Sequence, residues 1–138
     1  MTAANNVPAS RGPGATAAAV EPDPARAIQL RGACLLCGVS LAVYGDFEAL
    51  RASGRLERAT FCLVSCVNDA PHLVDDIASL AREHPQLPLA ALIPAEAAPD
   101  RRDAVLRSGV WDFLAFPCGT EELRLRIRSL LRQAASTE

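Results

Sequence analysis

Ser108-Gly109-Val110-Trp111-Asp112-Phe113-Leu114-Ala115-Phe116-Pro117 runs, past Cys118, into Gly119-Thr120-Glu121-Glu122-Leu123, and this stretch decides how the chain is read. An apolar strand over Val110–Leu114 leads to a proline. A helix over Thr120–Arg132 follows, with Leu123, Ile127, Leu130 and Leu131 on its inner face and arginines on its outer one.

The same strand-then-helix unit recurs upstream. Ala15–Val20 is short and apolar. Alanine is a poor strand former, so propensity alone allows a helix there. Its place before Glu21-Pro22-Asp23-Pro24 argues for a strand ending in a turn. Asp23 caps a helix that begins at Pro24, where a missing N–H costs nothing, and that runs to about Cys37 before Gly38. Val39–Tyr44 reads as a second strand, and Asp46 caps a short helix ending near Ser53-Gly54. Thr60–Cys66 is nearly all apolar, as a parallel strand buried on both faces should be. Pro71–Glu83 has helical spacing, Leu87–Ile93 is another buried strand, and Pro99–Ser108 is a helix stopped by Gly109. Five strands alternating with five helices imply a parallel α/β sheet with helices on both faces and right-handed crossovers. Ligands of such sheets bind beyond the carboxyl ends of the strands.

Composition narrows the function. The 138 residues suit one domain, half of them apolar. Residues 1–14 read as a disordered tail, 15–133 as the domain, and 134–138 as a tail or the start of a linker. A net charge of −2 gives no push toward nucleic acid. The 14 basic residues are all arginine, which excludes every lysine-dependent chemistry. The five cysteines, Cys34, Cys37, Cys62, Cys66 and Cys118, lie in apolar runs and read as reduced thiols of a cytoplasmic protein. No apolar run approaches the ~18 residues of a membrane span, and no signal peptide is evident.

At its strand ends the chain resembles a CheY-like response-regulator receiver domain, from about Thr16 to Gln133. Val20-Glu21-Pro22-Asp23-Pro24-Ala25-Arg26 is similar to the family's first-strand motif, in which two adjacent acids hold Mg²⁺. Glu21 matches the first acid, Pro22 stands at the second, and Asp23 matches the position that follows. Gly38-Val39-Ser40-Leu41-Ala42-Val43-Tyr44-Gly45-Asp46-Phe47-Glu48-Ala49-Leu50 resembles the second strand and the start of the second helix. The resemblance puts Ser65, or Cys66 after a one-residue slip, at the phosphoacceptor aspartate. Asp69 lies too far along to be a simple substitute. Ile93 falls at the hydroxyl position and Phe116 at the lysine, while Pro117 is kept and implies a cis Phe116–Pro117 bond. The resemblance thus implies a flavodoxin-like doubly wound (βα)5 sandwich of strand order 2-1-3-4-5 whose phosphorylation residues are lost. Mg²⁺ usually needs one or two carboxylates plus waters and phosphate, which Glu21 and Asp23 supply poorly, so no metal or cofactor is expected.

The remaining features read as structure. Cys34-Leu35-Leu36-Cys37 has no second C-x-x-C to complete a zinc site, and reads as two core thiols one turn apart. His72 and His84 flank the third helix, and Asp75-Asp76 reads as a solvated face at mid-helix. Arg124, Arg128 and Arg132 form one stripe, partly paired with Glu121 and Glu122. Trp111 and Phe113 share a strand face and one fate: core, or a contact surface of the fourth helix, fifth strand and fifth helix.

These readings give a non-enzymatic pseudo-receiver, a phosphorylation-independent interaction or dimerisation module. It would contact a protein partner or a second copy through Trp111, Phe113, Arg124 and Arg128, with neither membrane nor direct nucleic-acid contact. By analogy it would be the N-terminal regulatory domain of a bacterial transcriptional response regulator with a fused output domain. The alternative is a sensing domain whose vacated phosphorylation pocket, lined by Ser65, Ile93 and Phe116, binds a small molecule or nucleotide.

Overall fold

In the structure, a computed structural model describing residues 14–67 and 72–136, strands and helices alternate throughout. They are β1 (Ala15–Val20), α1 (Pro24–Leu36), β2 (Val39–Tyr44), α2 (Phe47–Ser53), β3 (Cys62–Ser65), α3 (Leu73–Glu83), β4 (Leu89–Pro94), α4 (Pro99–Arg107), β5 (Asp112–Phe116) and α5 (Thr120–Ser136). The five strands pair in parallel in the order 2-1-3-4-5, as expected.

Local chemistry explains the helix starts. The Asp23 carboxylate accepts the Arg26 N–H at 2.9 Å, and the Asp46 carboxylate accepts the Ala49 N–H at 2.7 Å. Each satisfies a backbone donor that the first helical turn would otherwise leave orphaned. The alanine run Ala15–Val20 is a strand after all. It occupies the second position of the sheet, between β2 and β3, and Ala17, Ala18 and Ala19 are buried.

Strand alternation divides the interior into two cores. Leu63, Leu92, Leu114 and Phe116 pack with Leu30 and Cys34 of α1 and with Leu123, Ile127 and Leu130 of α5. On the other face Cys62, Val64, Leu89 and Ile93 pack with Leu50 of α2, Leu73, Ile77 and Leu80 of α3, and Val105 of α4.

Several boundaries differ from the sequence reading. The fifth strand is Asp112–Phe116, two residues later than Val110–Leu114. Gly109 has a φ of 120°, and a Cβ there would come 2.6 Å from the Cβ of Ala81. Val110 and Trp111 are the apolar approach out of that turn. α3 begins at Leu73, with His72 at its N-cap and His84 at its C-cap. Asp75 and Asp76 therefore lie in the first turn, where carboxylates suit the helix dipole, and not at mid-helix. Pro71 and Asp69 lie outside the described residues, as do residues 1–13 of the expected tail. α5 continues to Ser136, past the expected end at Arg132. A single 3-10 turn over Leu56–Arg58 was not anticipated.

Candidate functional site

β1 ends at Val20 and delivers Glu21 to the carboxyl end of the sheet. The Glu21 side chain is fully buried, and both of its oxygens are engaged. Arg26 Nε donates to Oε1 at 3.0 Å, and the Asp23 N–H donates to Oε2 at 3.0 Å. A buried carboxylate needs such partners, and here the first turn of α1 supplies them. Pro22 is exposed and brings no carboxylate.

β3 ends at Ser65, which is only 6% exposed. Its Oγ accepts the Val67 N–H at a long 3.5 Å, and its hydroxyl proton has no acceptor among the described residues. Cys66 turns into the core under α2–α4, and its N–H donates to the Leu92 carbonyl at 2.7 Å. Of these two residues, Ser65 lines an open site.

That site is a hollow of about 500 Å³, lined by Val20, Pro22, Gly45, Asp46, Phe47, Glu48, Arg51, Ser65, Leu73 and Asp76. The expected wall of Ser65, Ile93 and Phe116 is corrected on two counts. Ile93 is 2% exposed and lies in the core under α2–α4; Phe116 is 4% exposed and lies in the core under α1 and α5. Strand parity sends the two side chains to opposite faces, so neither reaches the hollow. The Phe116–Pro117 bond is cis, as expected. Asp46, Glu48, Phe47 and Arg51 were missed as lining residues. Their signal was the Gly45-Asp46 turn after the second strand, since strand-end loops are where such sites form.

The donors present do not fit Mg²⁺. Glu21 is already held on both oxygens, Pro22 has none to offer, and Ser65 is neutral. Among the described residues no group of three or more His, Cys, Asp or Glu is arranged to hold a metal.

The cysteines are free. Burial pushes the thiols of Cys34, Cys62 and Cys66 up to about 12; Cys37 adds to the effect at Cys34, whereas Arg101 opposes it at Cys66. Cys118 is raised less, by burial and by Glu122.

Trp111 and Phe113 do not share a fate. Phe113 is half-buried against the core under α2–α4, while Trp111, just before the start of β5, is 38% exposed; Leu106 of α4 is 37% exposed. Arg124 pairs with Glu121 at 2.7 Å, Arg126 with Asp112 at 3.5 Å, and Arg128 is exposed. Ile28, Leu35 and Leu36 lie on the outer surface of α1.

No family model matches the chain. Its fold is similar to a response regulator from Thermotoga maritima, with a TM-score of 0.76 and 17% identity over 86% of this chain and 98% of that one. It is equally similar to the receiver domain of the TMAO respiratory system response regulator TorR, at TM-score 0.76 and 19% identity over 87% of this chain and 98% of that one. NtrX from Brucella abortus matches at TM-score 0.76 and 16% identity, over 90% of this chain but 28% of NtrX. The fold is therefore that of response-regulator receiver domains. In sequence, the chain is 29% identical over 122 residues to the probable transcriptional regulatory protein TcrX of Mycobacterium tuberculosis, covering 88% of this chain. It spans about half (52%) of the length of that relative. No helix among the described residues is long and apolar enough to cross a membrane.

Proposed function

We propose that this chain is a receiver-type module of a signalling protein that acts without phosphorylation and without catalysis, through contact with a protein partner or a second copy. The observation that carries this reading is the end of β3. By the resemblance, the fold's phosphoacceptor carboxylate is replaced by a buried serine hydroxyl, beside a Glu21 carboxylate already held by Arg26 and the Asp23 N–H. Phosphoryl transfer to a carboxylate needs a nucleophile and cations to offset the added charge. Ser65 is not a carboxylate, and Phe116 brings no cation.

The contact face is α4, β5 and α5, on which Leu106, Trp111 and Arg128 are exposed. The similarity to a transcriptional regulatory protein about twice as long supports a fused output domain and a role in transcription control.

Incubation with a small phosphodonor and Mg²⁺ should leave the intact mass unchanged. A stable gain of one phosphoryl group on the chain overturns phosphorylation independence. Sedimentation of the wild type against Arg128→Glu tests the face. A dimer that dissociates in the variant supports it, and two monomers at high concentration rule out a homodimer there.

A further inference from the structure

We propose that the hollow beside Ser65 binds a small organic cation: an ammonium group on an apolar body that also carries a hydroxyl or ether oxygen. This goes beyond the signalling reading, and it stands or falls separately, because it requires neither the α4–β5–α5 face nor any particular result with a phosphodonor.

Three features of the hollow define the ligand. Its volume, about 500 Å³, falls within the ~300–1,000 Å³ of small-molecule sites. Val20, Pro22, Phe47 and Leu73 give it apolar walls suited to a hydrocarbon or aromatic body. Ser65, only 6% exposed, also lines it, and its hydroxyl is engaged only as acceptor of the long 3.5 Å bond from the Val67 N–H. Buried polar groups are ordinarily matched, and a ligand oxygen would complete this one.

Charge selects the other end of the ligand. Asp46, Glu48 and Asp76 line the hollow, and Arg51 is the single cation among its lining residues. Arg51 is already engaged, its Nε 3.2 Å from Oε1 of Glu83. Asp46 Oδ1 accepts the Ala49 N–H at 2.7 Å, a neutral donor that leaves the carboxylate charge uncompensated. Three carboxylates against one compensated arginine attract an ammonium group and repel a phosphate, so a nucleotide is the wrong class of ligand for this hollow.

Matched probes test this on the full chain by calorimetric titration. Tyramine carries an amine, an aromatic body and a hydroxyl; 3-(4-hydroxyphenyl)propionate keeps the body and hydroxyl but reverses the charge; phenethylamine keeps the amine but lacks the hydroxyl. Tyramine should bind saturably at one site and raise the melting temperature, since it binds the folded state only. The propionate and adenosine monophosphate should not bind. Asp76→Asn and the fully surface-placed Glu48→Gln should each weaken tyramine, the former on the order of tenfold, as for loss of a charge-assisted hydrogen bond. Ser65→Ala should abolish the preference for tyramine over phenethylamine. Absence of saturable tyramine binding at millimolar concentration overturns the proposal. So does equal binding of the propionate, or an affinity unchanged in both carboxylate variants.

Discussion

The two halves of the sheet's carboxyl end differ. Around β1 and β3 the end is open and polar, with Ser65 on the hollow and Glu21 locked beneath it by Arg26. Around β4 and β5 it is sealed, with Ile93 and Phe116 sunk into the two cores. The residues at these strand ends therefore meet two fates. The large apolar side chains of Ile93 and Phe116 are absorbed by packing. The smaller Ser65 and Pro22 line open space.

Substitutions in each half should respond accordingly. Phe116→Ala removes a ring from a sealed core and should cost about 3–5 kcal/mol in urea unfolding. A cost under about 1 kcal/mol would show that Phe116 seals nothing. Arg26→Ala strands the Glu21 carboxylate. It should cost about 3 kcal/mol, the low end for a broken buried pair because Arg26 is 22% exposed. Recovery of part of that loss by Arg26→Lys would identify charge as the cause.

The thiols give a third, pH-dependent contrast. In the unfolded chain they ionise near their ordinary value of 9.0, whereas Cys34, Cys62 and Cys66 hold their protons to about 12 when folded. The unfolded state thus loses protons first. The stabilisation is fully present below pH 9 and disappears as pH rises from 9 toward 12. Cys62→Ala should flatten the alkaline decline by roughly 1 kcal/mol per pH unit. An unchanged slope would assign the decline to other groups. Smallest is Ser65→Ala, expected to shift stability by less than about 0.5 kcal/mol, because the hydroxyl it removes makes one long contact. A loss several times larger would mean that Ser65 holds the strand end together.

The sequence carried most of the fold and less of the site. The caps at Asp23 and Asp46 were legible because side-chain capping is local chemistry. The buried strands were legible because parallel strands covered on both faces leave long apolar runs. The hollow was not, because a strand-end position does not reveal which face its side chain takes. Ile93 lies opposite Ala115 and Phe116 opposite Pro94, one register step apart, so the two point into opposite cores. The inner and outer faces of α1 were equally hidden, since apolar residues line both.

The alanines of β1 carry a consequence for how this sequence can diverge. Ala17, Ala18 and Ala19 are at most 4% exposed, with β2 and β3 on either side and helices above and below. A β-branched residue is the usual choice for such a strand, but each added methyl group would push against side chains already in place. In a saturation library selected for folding, positions 17–19 should therefore return almost exclusively alanine, glycine, serine and cysteine. The edge strand β2, with Ser40 exposed, should drift freely at that position. Side-chain volume, and not strand propensity, sets the alphabet of this interior strand.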